Sequence, residues 1–386
     1  MKAAILAAGE GRRLWPLTRQ RPKPMLPVGN RPLLEYVIEA VAAAGIDEII
    51  LVVGYQRNRI QTHFGDGDQW DVDIEYVVQE RQLGTGHAVA QLQPHVDDHE
   101  EFLVLNGDRL IEQTLVEAVR DAPADTAATV GVTRVAEPQR YGVVTIDGDR
   151  LLNIEEKPRQ TSSQIINAGV YRLSPAIFER IKEADRTADG ESALTTAISD
   201  LAGDQPVGVV RYSDTWTDVS QLWDILTVND DVLARRECPT TGDQHDTAVV
   251  TDRVCCADDS TVGPNATVNR GTALGTNVSV GAGAVVSNSI VFPDATIEPG
   301  AVVADSIVGQ NVTIGPNTTV TGGTATVTIE GVQYDEITLG AAIGDNTRIG
   351  GGVVVEPGTI IGDGSTVDDG AVISGLIDAG TTVVRG

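Results

Sequence analysis

The sequence predicts an α/β domain on a mostly parallel sheet followed by a parallel β-helix, and three observations carry that reading. From residue 1 to about 236, short apolar runs alternate with helical patterns, the signature of βαβ units. From Val262 onward an aliphatic residue recurs at six-residue steps. Between the two, residues 237–260 hold Pro239, Gly242 and many polar residues without periodicity, which reads as a linker followed by a first irregular coil. The expected domains are therefore 1–236, 237–260 and 261–386.

In chain order, strands are expected at Ala3–Ala7, Glu48–Val53, Ile74–Gln79, Glu101–Leu105, Ala127–Thr133 and around Tyr171. The first of these is an unbroken apolar run, as a strand covered on both faces requires. Helices are expected over Leu33–Ala44, ended by Gly45, and over Asn58–Phe64. In open sheets of this kind ligands sit at the carboxyl ends of strands, and each motif below follows an expected strand.

The six-residue step runs through Val262, Val268, Leu274, Val280 and Val286, then Val291, Ile297 and Val303, then Val308, Ile314 and Val320. It resumes at Ile343, Ile349, Val355, Ile361, Val367 and Ile373. Three hexads make one triangular coil with the aliphatic residue inside, so these positions correspond to roughly five or six coils. Aromatic residues, 4% of the chain, are scarce here because a narrow prism has no room for them. The interruption Gly322–Gly340 reads as a loop or extruded hairpin.

A chain of 386 residues accommodates two or three domains with sizeable cores. Its net charge of -27 argues against nucleic acid or an anionic membrane as partner, since both would be repelled. Only Lys2, Lys23, Lys157 and Lys182 supply lysine among 28 cationic residues, and an acidic, lysine-poor surface suits a cytoplasm at very high salt. No run of 18 apolar residues or signal-peptide anatomy is present, so a soluble, cytoplasmic protein is expected. Cys238, Cys255 and Cys256 show neither an even framework nor metal spacing and are expected to be ordinary small side chains.

The chemistry concentrates in Leu6–Pro27. Gly9 and Gly11 let backbone N–H groups approach a phosphate, and Arg12, Arg13, Arg19, Arg21 and Lys23 place cations beside them, which makes a polyphosphate cradle. A P-loop is excluded because the glycines are two apart and the lysine comes late. A dinucleotide fingerprint is excluded because its third glycine would be Leu14, and Pro16, Pro22, Pro24 and Pro27 forbid the helix that should follow.

What remains, G-x-G-x-R-L followed by P-K-P-M-L-P, resembles the signature of sugar-1-phosphate nucleotidylyltransferases, with Arg12 where threonine or serine is usual. The resemblance implies a Rossmann-like nucleotidyltransferase domain in which Arg13 and Lys23 are catalytic and hold the triphosphate and sugar phosphate. It also implies Leu6, Ala8, Gly9 and Gly11 as nucleotide contacts. The hexads resemble those of hexapeptide-repeat proteins, which implies a left-handed β-helix and a homotrimer or a multiple of it.

The stretch Q-L-G-T-G-H-A, Gln82–Ala88, is similar to the uracil loop of UDP-N-acetylglucosamine pyrophosphorylases and implies Gln79, Gly84 and Thr85 as base contacts. Thymidylyltransferases use a similar loop, so both UTP and dTTP remain open. His87 reads as a surface histidine at a helix start. Phe102–Asp108 reads as a buried strand ending in an acid, and Mg²⁺ is usually held by one or two carboxylates plus substrate phosphates, which suits Asp108. The second metal carboxylate, Asp218, follows from likeness to W-x-D-V-G, with Ser220 in place of the glycine.

Tyr141-Gly142, Glu155-Glu156-Lys157-Pro158 and Asn167-Ala168-Gly169-Val170-Tyr171 resemble the family's sugar-site strands. They imply Tyr141, Gly142, Glu155, Lys157 and Asn167 as contacts to a hexose-1-phosphate such as glucose-1-phosphate or N-acetylglucosamine-1-phosphate. The expected reaction is attack of the sugar phosphate on the α-phosphorus of UTP or dTTP, with pyrophosphate leaving. Alternatives are a bifunctional enzyme with an acetyltransferase in the repeats, and a non-catalytic sugar-nucleotide sensor. Every transferase motif lies before Trp223, so the repeat domain reads as separable from the catalytic one.

Overall fold

The computed structural model describes residues 1–97, 99–123, 125–184, 193–214, 216–236, 238 and 240–385. Glu237 and Pro239 of the expected linker lie outside them. The chain divides into two compact units, and the division does not follow chain order. Met1–Glu10, Pro22–Met25 and Leu33–Thr217 form the first, while Gly11–Arg21, Leu26–Pro32 and Asp218–Gly386 form the second.

The first unit is built on strands β1 (Ala3–Ala7), β2 (Glu48–Val53), β3 (Asp73–Val78), β4 (Phe102–Asn106), β5 (Ala128–Arg134), β6 (Gly142–Asp147), β7 (Arg150–Glu156), β8 (Ile165–Leu173) and β9 (Val207–Arg211). Their order across the sheet is β3-β2-β1-β4-β8-β5-β9-β7-β6. Neighbours are parallel from β3 to β4, and β5 is parallel to β9. By contrast, β8 runs antiparallel to both β4 and β5. A two-residue connection, Gly148-Asp149, folds β6 back on β7, with Gly148 at φ 58°.

Helices α1 (Leu33–Ala43), α2 (Arg57–Phe64), α3 (Thr85–Ala90), α4 (Gln113–Arg120), α5 (Ile177–Glu183) and α6 (Leu194–Asp204) cover its faces. On α1, Leu34, Val37, Ile38 and Val41 recur at helical spacing and enter one core with Ala3, Ile5 and Ala7 of β1. Ala4 points to the opposite core with Phe102 and Val104, the alternation a doubly covered strand requires.

The second unit is the stacked β-helix. Eight, seven and seven short strands form its three parallel ladders, which makes seven coils and one further strand among the described residues. All seventeen hexad aliphatics lie in one continuous core. The coil count exceeds the sequence expectation because the ladder starts earlier: Gln244, Val250 and Cys256 stand opposite Val262, Val268 and Leu274. The six-residue step therefore extends back through a coil in 243–256, disguised by a cysteine at an interior position and by an exposed glutamine, Gln244, in the register of Val262. Cys238 and Cys255 form a disulfide with Cα atoms 5.3 Å apart, correcting the expectation of ordinary side chains, and Cys256 is free and buried.

Helix α7 (Leu222–Arg235) and residues 26–32 pack on the second coil through buried Asn229, which accepts from Gly29 N–H (2.9 Å) and donates to Gly271 O (2.9 Å). Asn30 adds a hydrogen bond to Leu274 O at 2.8 Å. Arg21 reaches Asp345 at 2.7 Å and lies over the Phe292 ring, 4.6 Å from its centroid. The arginine loop 11–21 is thus seated on the β-helix. Residues 324–329 and 332–338 pair as an antiparallel hairpin, in agreement with the extruded-hairpin reading. Among the described residues, no helix is long and apolar enough to cross a membrane.

Candidate active site

Four strands bring several of the expected residues to one edge of the first unit. In the order β3, β2, β1, β4, their carboxyl ends carry Gln79, Gly54, Ala8-Gly9 and Gly107-Asp108. Close approach is built in: a side chain at Gly107 would put its Cβ 2.9 Å from Leu6 O, which accepts from Gly107 N–H at 3.0 Å. Ala8 O accepts from Tyr55 N–H at 3.4 Å and from the Gln82 side chain at 3.0 Å. Around Gly9 a Cβ would meet nothing within 4 Å, and the residue is exposed.

Lys23 and Asp108 form the central pair. The Lys23 ammonium donates to Asp108 Oδ2 at 2.6 Å. Burial opposes ionisation of Asp108, yet the charges of Lys23 and the adjacent Arg109 hold its carboxyl below the usual carboxylate range. At neutral pH this is a carboxylate with a cation beside it. Asp108 offers a hard oxygen of the kind that could hold a divalent metal.

The base-loop residues are held by contacts within the chain. The Gln79 amide nitrogen donates to Gly84 O at 3.2 Å and lies 3.0 Å from His87 Nδ1, so Gln79 braces the loop around its own helix start. Thr85 Oγ1 accepts from Leu194 N–H at 3.1 Å, tying α3 to α6. Gly84, at φ 91°, provides the sharp entry into α3.

The sugar-side residues gather on β6, β7 and β8. Lys157 N–H donates to Tyr141 O at 3.0 Å, and Glu156 stands opposite Gly142, so Glu155 and Lys157 emerge beside the Tyr141-Gly142 strand start. Glu155 and Lys157 are exposed, free to meet a ligand from solvent. Asn167 is buried, its amide nitrogen bonding the Tyr171 hydroxyl while Oδ1 accepts from Gly169 N–H at 2.9 Å. It shapes the irregularity in β8 between Asn167 and Tyr171.

Two residues that sequence reasoning missed link the halves. Arg109 donates to Asn167 O at 3.1 Å and lies over the Trp216 ring, 5.1 Å from its centroid. Trp216 donates to Ala168 O at 2.8 Å and meets Tyr141 edge-on at 5.4 Å. A side chain at Gly169 would collide with Arg109 Nη1 at 2.5 Å. The arginine directly after Asp108 and the tryptophan two positions before Asp218 were available signals, lost among carboxylates that looked more chemical.

Gly11, Arg13 and Asp218 belong to the second unit. Gly11 has φ 69° and its carbonyl accepts from Thr18 Oγ1 at 2.8 Å, which closes the arginine loop. Arg13 lies 3.8 Å from Glu330 of the hairpin. Asp218 is buried and accepts from the Ser220 hydroxyl, so the serine that replaces the family glycine contributes a hydrogen bond to the acid. Among the described residues, no group of three or more His, Cys, Asp or Glu forms a metal cluster.

Residues 2–235 match the family model described as nucleotidyl transferase. Residues 250–339 match a GMPPB C-terminal domain, and 340–375 match a bacterial transferase hexapeptide of six repeats. The bifunctional protein GlmU of Methanococcus maripaludis is 34% identical over 268 residues, 69% of this chain and 62% of that protein. The chain therefore aligns with less than two thirds of that relative. The glucose-1-phosphate thymidylyltransferase of Streptomyces antibioticus is 35% identical over 305 residues, covering 77% and 82% of the two chains. A Bacillus anthracis structure described as a glucose-1-phosphate thymidylyltransferase in complex with a sucrose superposes with a TM-score of 0.56 at 27% identity, over 61% of this chain and 96% of that one. With its strand-end glycines, its Lys23–Asp108 pair and its stacked hexads, the chain belongs to the nucleotidyl transferase family, among the sugar-1-phosphate nucleotidylyltransferases that carry a C-terminal hexapeptide-repeat left-handed β-helix.

Proposed function

We propose that this chain makes a UDP- or dTDP-sugar and pyrophosphate from UTP or dTTP and a hexose-1-phosphate, glucose-1-phosphate or N-acetylglucosamine-1-phosphate. The observation that carries the reading is the Lys23–Asp108 pair at the edge where the glycine segment after β1 meets the strand ends of the base side. In-line displacement at phosphorus needs positioning and charge neutralisation more than a general base. Lys23 and Arg13 stabilise phosphate charge, and Glu155 and Lys157 receive the sugar hydroxyls and sugar phosphate. Asp108 and Asp218 would hold Mg²⁺, which neutralises triphosphate charge when bound. The base is set by the loop that Gln79 braces, through the backbone of Gly84 and its neighbours.

Outside the site, the repeats and an acidic, lysine-poor surface support a homotrimer or a multiple of it in a salt-rich cytoplasm, with no nucleic acid or membrane as partner. The testing experiment is a pyrophosphate-release panel of four nucleoside triphosphates against several hexose-1-phosphates. Turnover with UTP or dTTP and one hexose-1-phosphate is the expected result, and no turnover with any pair would refute the transferase reading.

The bifunctional reading draws on the name of the Methanococcus relative. Against it stands the distribution of histidines: none lies between Val262 and the C-terminal residue, and His245 sits in the first coil next to Thr247. The hairpin leaves the fifth coil, so at about 4.8 Å per coil His245 is on the order of 20 Å away along the helix axis.

A further inference from the structure

The hairpin is an excursion that the β-helix does not need. At the corresponding corners of the two preceding coils, the strands ending at Ser287 and Ala304 are followed after two residues by Ile290 and Ile307. In the fifth coil the same corner carries residues 321–340. The insertion is also well fixed. Its turn is Glu330-Gly331, with φ 51° and 80°, the tight two-residue connection that matches strand twist. Val327 is buried midway along its outgoing strand, and Gly358 N–H donates to both Leu339 O and Gly340 O at 2.8 Å.

Two contacts give this rigid arm a purpose. At its tip, Glu330 Oε2 lies 3.8 Å from Arg13 Nε, with both side chains about half exposed at 54% and 46%. On its returning strand, the Tyr334 hydroxyl accepts from the Gln221 amide at 3.0 Å, and its ring meets Trp223 edge-on at 5.1 Å. Gln221 opens α7, and its own N–H and that of Ser220 both donate to Asp224 Oδ2, at 2.7 and 2.9 Å. The Ser220 hydroxyl in turn bonds Asp218. A continuous chain of contacts therefore runs from Tyr334 through Gln221, Asp224 and Ser220 to Asp218.

We propose that the hairpin 324–338 is a working part of the transferase site: Glu330 is a counter-ion that holds Arg13 until the triphosphate displaces it, and Tyr334 is a positioning residue for the Asp218 segment. This rests on the reading of Arg13 and Asp218 as triphosphate and metal groups. An incoming triphosphate offers Arg13 several anionic oxygens where Glu330 offers one carboxylate, so exchange favours the nucleotide when it is present. With the site empty, Glu330 keeps the arginine side chain in place.

The test uses the full-length protein and steady-state pyrophosphate release. In Glu330→Gln the KM for the triphosphate is expected to fall about two- to fivefold at low salt with kcat within about twofold, the range for an exposed ion pair. The difference should close at about 1 M salt, where such pairs are screened. In Tyr334→Phe, which keeps the ring on Trp223, the Mg²⁺ concentration for half activity is expected to rise about two- to tenfold for the lost hydrogen bond. Urea midpoints of both variants should match wild type, which separates positioning from stability. A triphosphate KM that is unchanged or raised in Glu330→Gln at low salt, or an unchanged metal requirement in Tyr334→Phe, overturns the proposal. Arg13→Ala is the control: if it too leaves KM and kcat unchanged, the reading of Arg13 fails rather than the role of the hairpin.

Discussion

Replacing Asp345 by asparagine removes the counter-ion of the arginine that seats the phosphate loop. The Arg21 and Asp345 side chains are 7% and 6% exposed, and their contact is 2.7 Å. Breaking a buried pair by removing one partner costs about 3–5 kcal/mol, because the surviving charge stays in a low-dielectric setting. Two features place this case at the lower end. Asparagine retains the oxygen that accepts from Gln310 N–H at 2.8 Å, and the Phe292 ring together with Asp363 still faces the guanidinium. The expected loss is about 3 kcal/mol, which at a urea slope near 2–3 kcal/mol/M moves the midpoint down by about 1–1.5 M. Urea unfolding followed by circular dichroism, resolved into the transitions of the two units, measures it. The loss should persist at high salt, unlike that from the exposed Arg57–Glu80 pair at 3.4 Å. A midpoint within about 0.2 M of wild type, or a shift that vanishes at about 1 M salt, would show that the pair does not hold the loop.

Lys23→Ala and Arg13→Ala should each lose about a hundredfold in kcat/KM, or roughly 3 kcal/mol of transition-state stabilisation, in the pyrophosphate assay; loss under about threefold refutes the phosphate cradle. Asp108→Asn and Asp218→Asn should each raise the Mg²⁺ needed for half activity, and an unchanged requirement in either removes it from the metal set. Burial and the neighbouring Asp345 raise the Asp363 carboxyl above its ordinary range, so the folded chain holds that proton more tightly than the unfolded one. The contribution is complete below the unfolded carboxylate range, near pH 4, and is lost as pH rises through the folded value. Wild type should therefore lose stability relative to Asp363→Asn over that rise, and a pH-independent difference would contradict it. No thiol release from acetyl-CoA with glucosamine-1-phosphate or galactosamine-1-phosphate is expected, because residues 262–386 contain no histidine to deprotonate the acceptor. Release with either sugar would make the enzyme bifunctional.

What the sequence made legible is what repeats or what is locally forced. The run Ala3–Ala7 and the stretch Glu48–Val53 coincide with β1 and β2, and every hexad aliphatic is interior, because burial on all sides leaves one side-chain type at each position. Features set by distant neighbours were not legible. The Cys238–Cys255 bond depends on where a coil places Cys255, and Cys256 next to it points into the core instead. Gln244 hid the first coil: it pairs with Val262 yet is exposed, since a terminal coil has a neighbour on one side only. The β6–β7 hairpin was signalled by Asp147-Gly148 but lost in a reading tuned to helix-linked parallel strands. In the site, Asp108 and Lys23 could be named from motifs, whereas the bracing roles of Gln79 and Asn167 depend on His87, Gly84, Gly169 and Tyr171 around them.

The seating of residues 11–21 on the β-helix has a consequence for biosynthesis. Arg21 leaves the ribosome 324 residues ahead of its counter-ion Asp345, a delay of roughly 16–65 s at 5–20 residues per second. During that interval the nascent chain can complete β1 to β9, but its arginine loop has nowhere to dock. A message cut short before codon 345 yields a chain with the whole mixed sheet and no seat for Arg21. The carboxylate at 345 therefore acts as a completeness check on the loop 11–21.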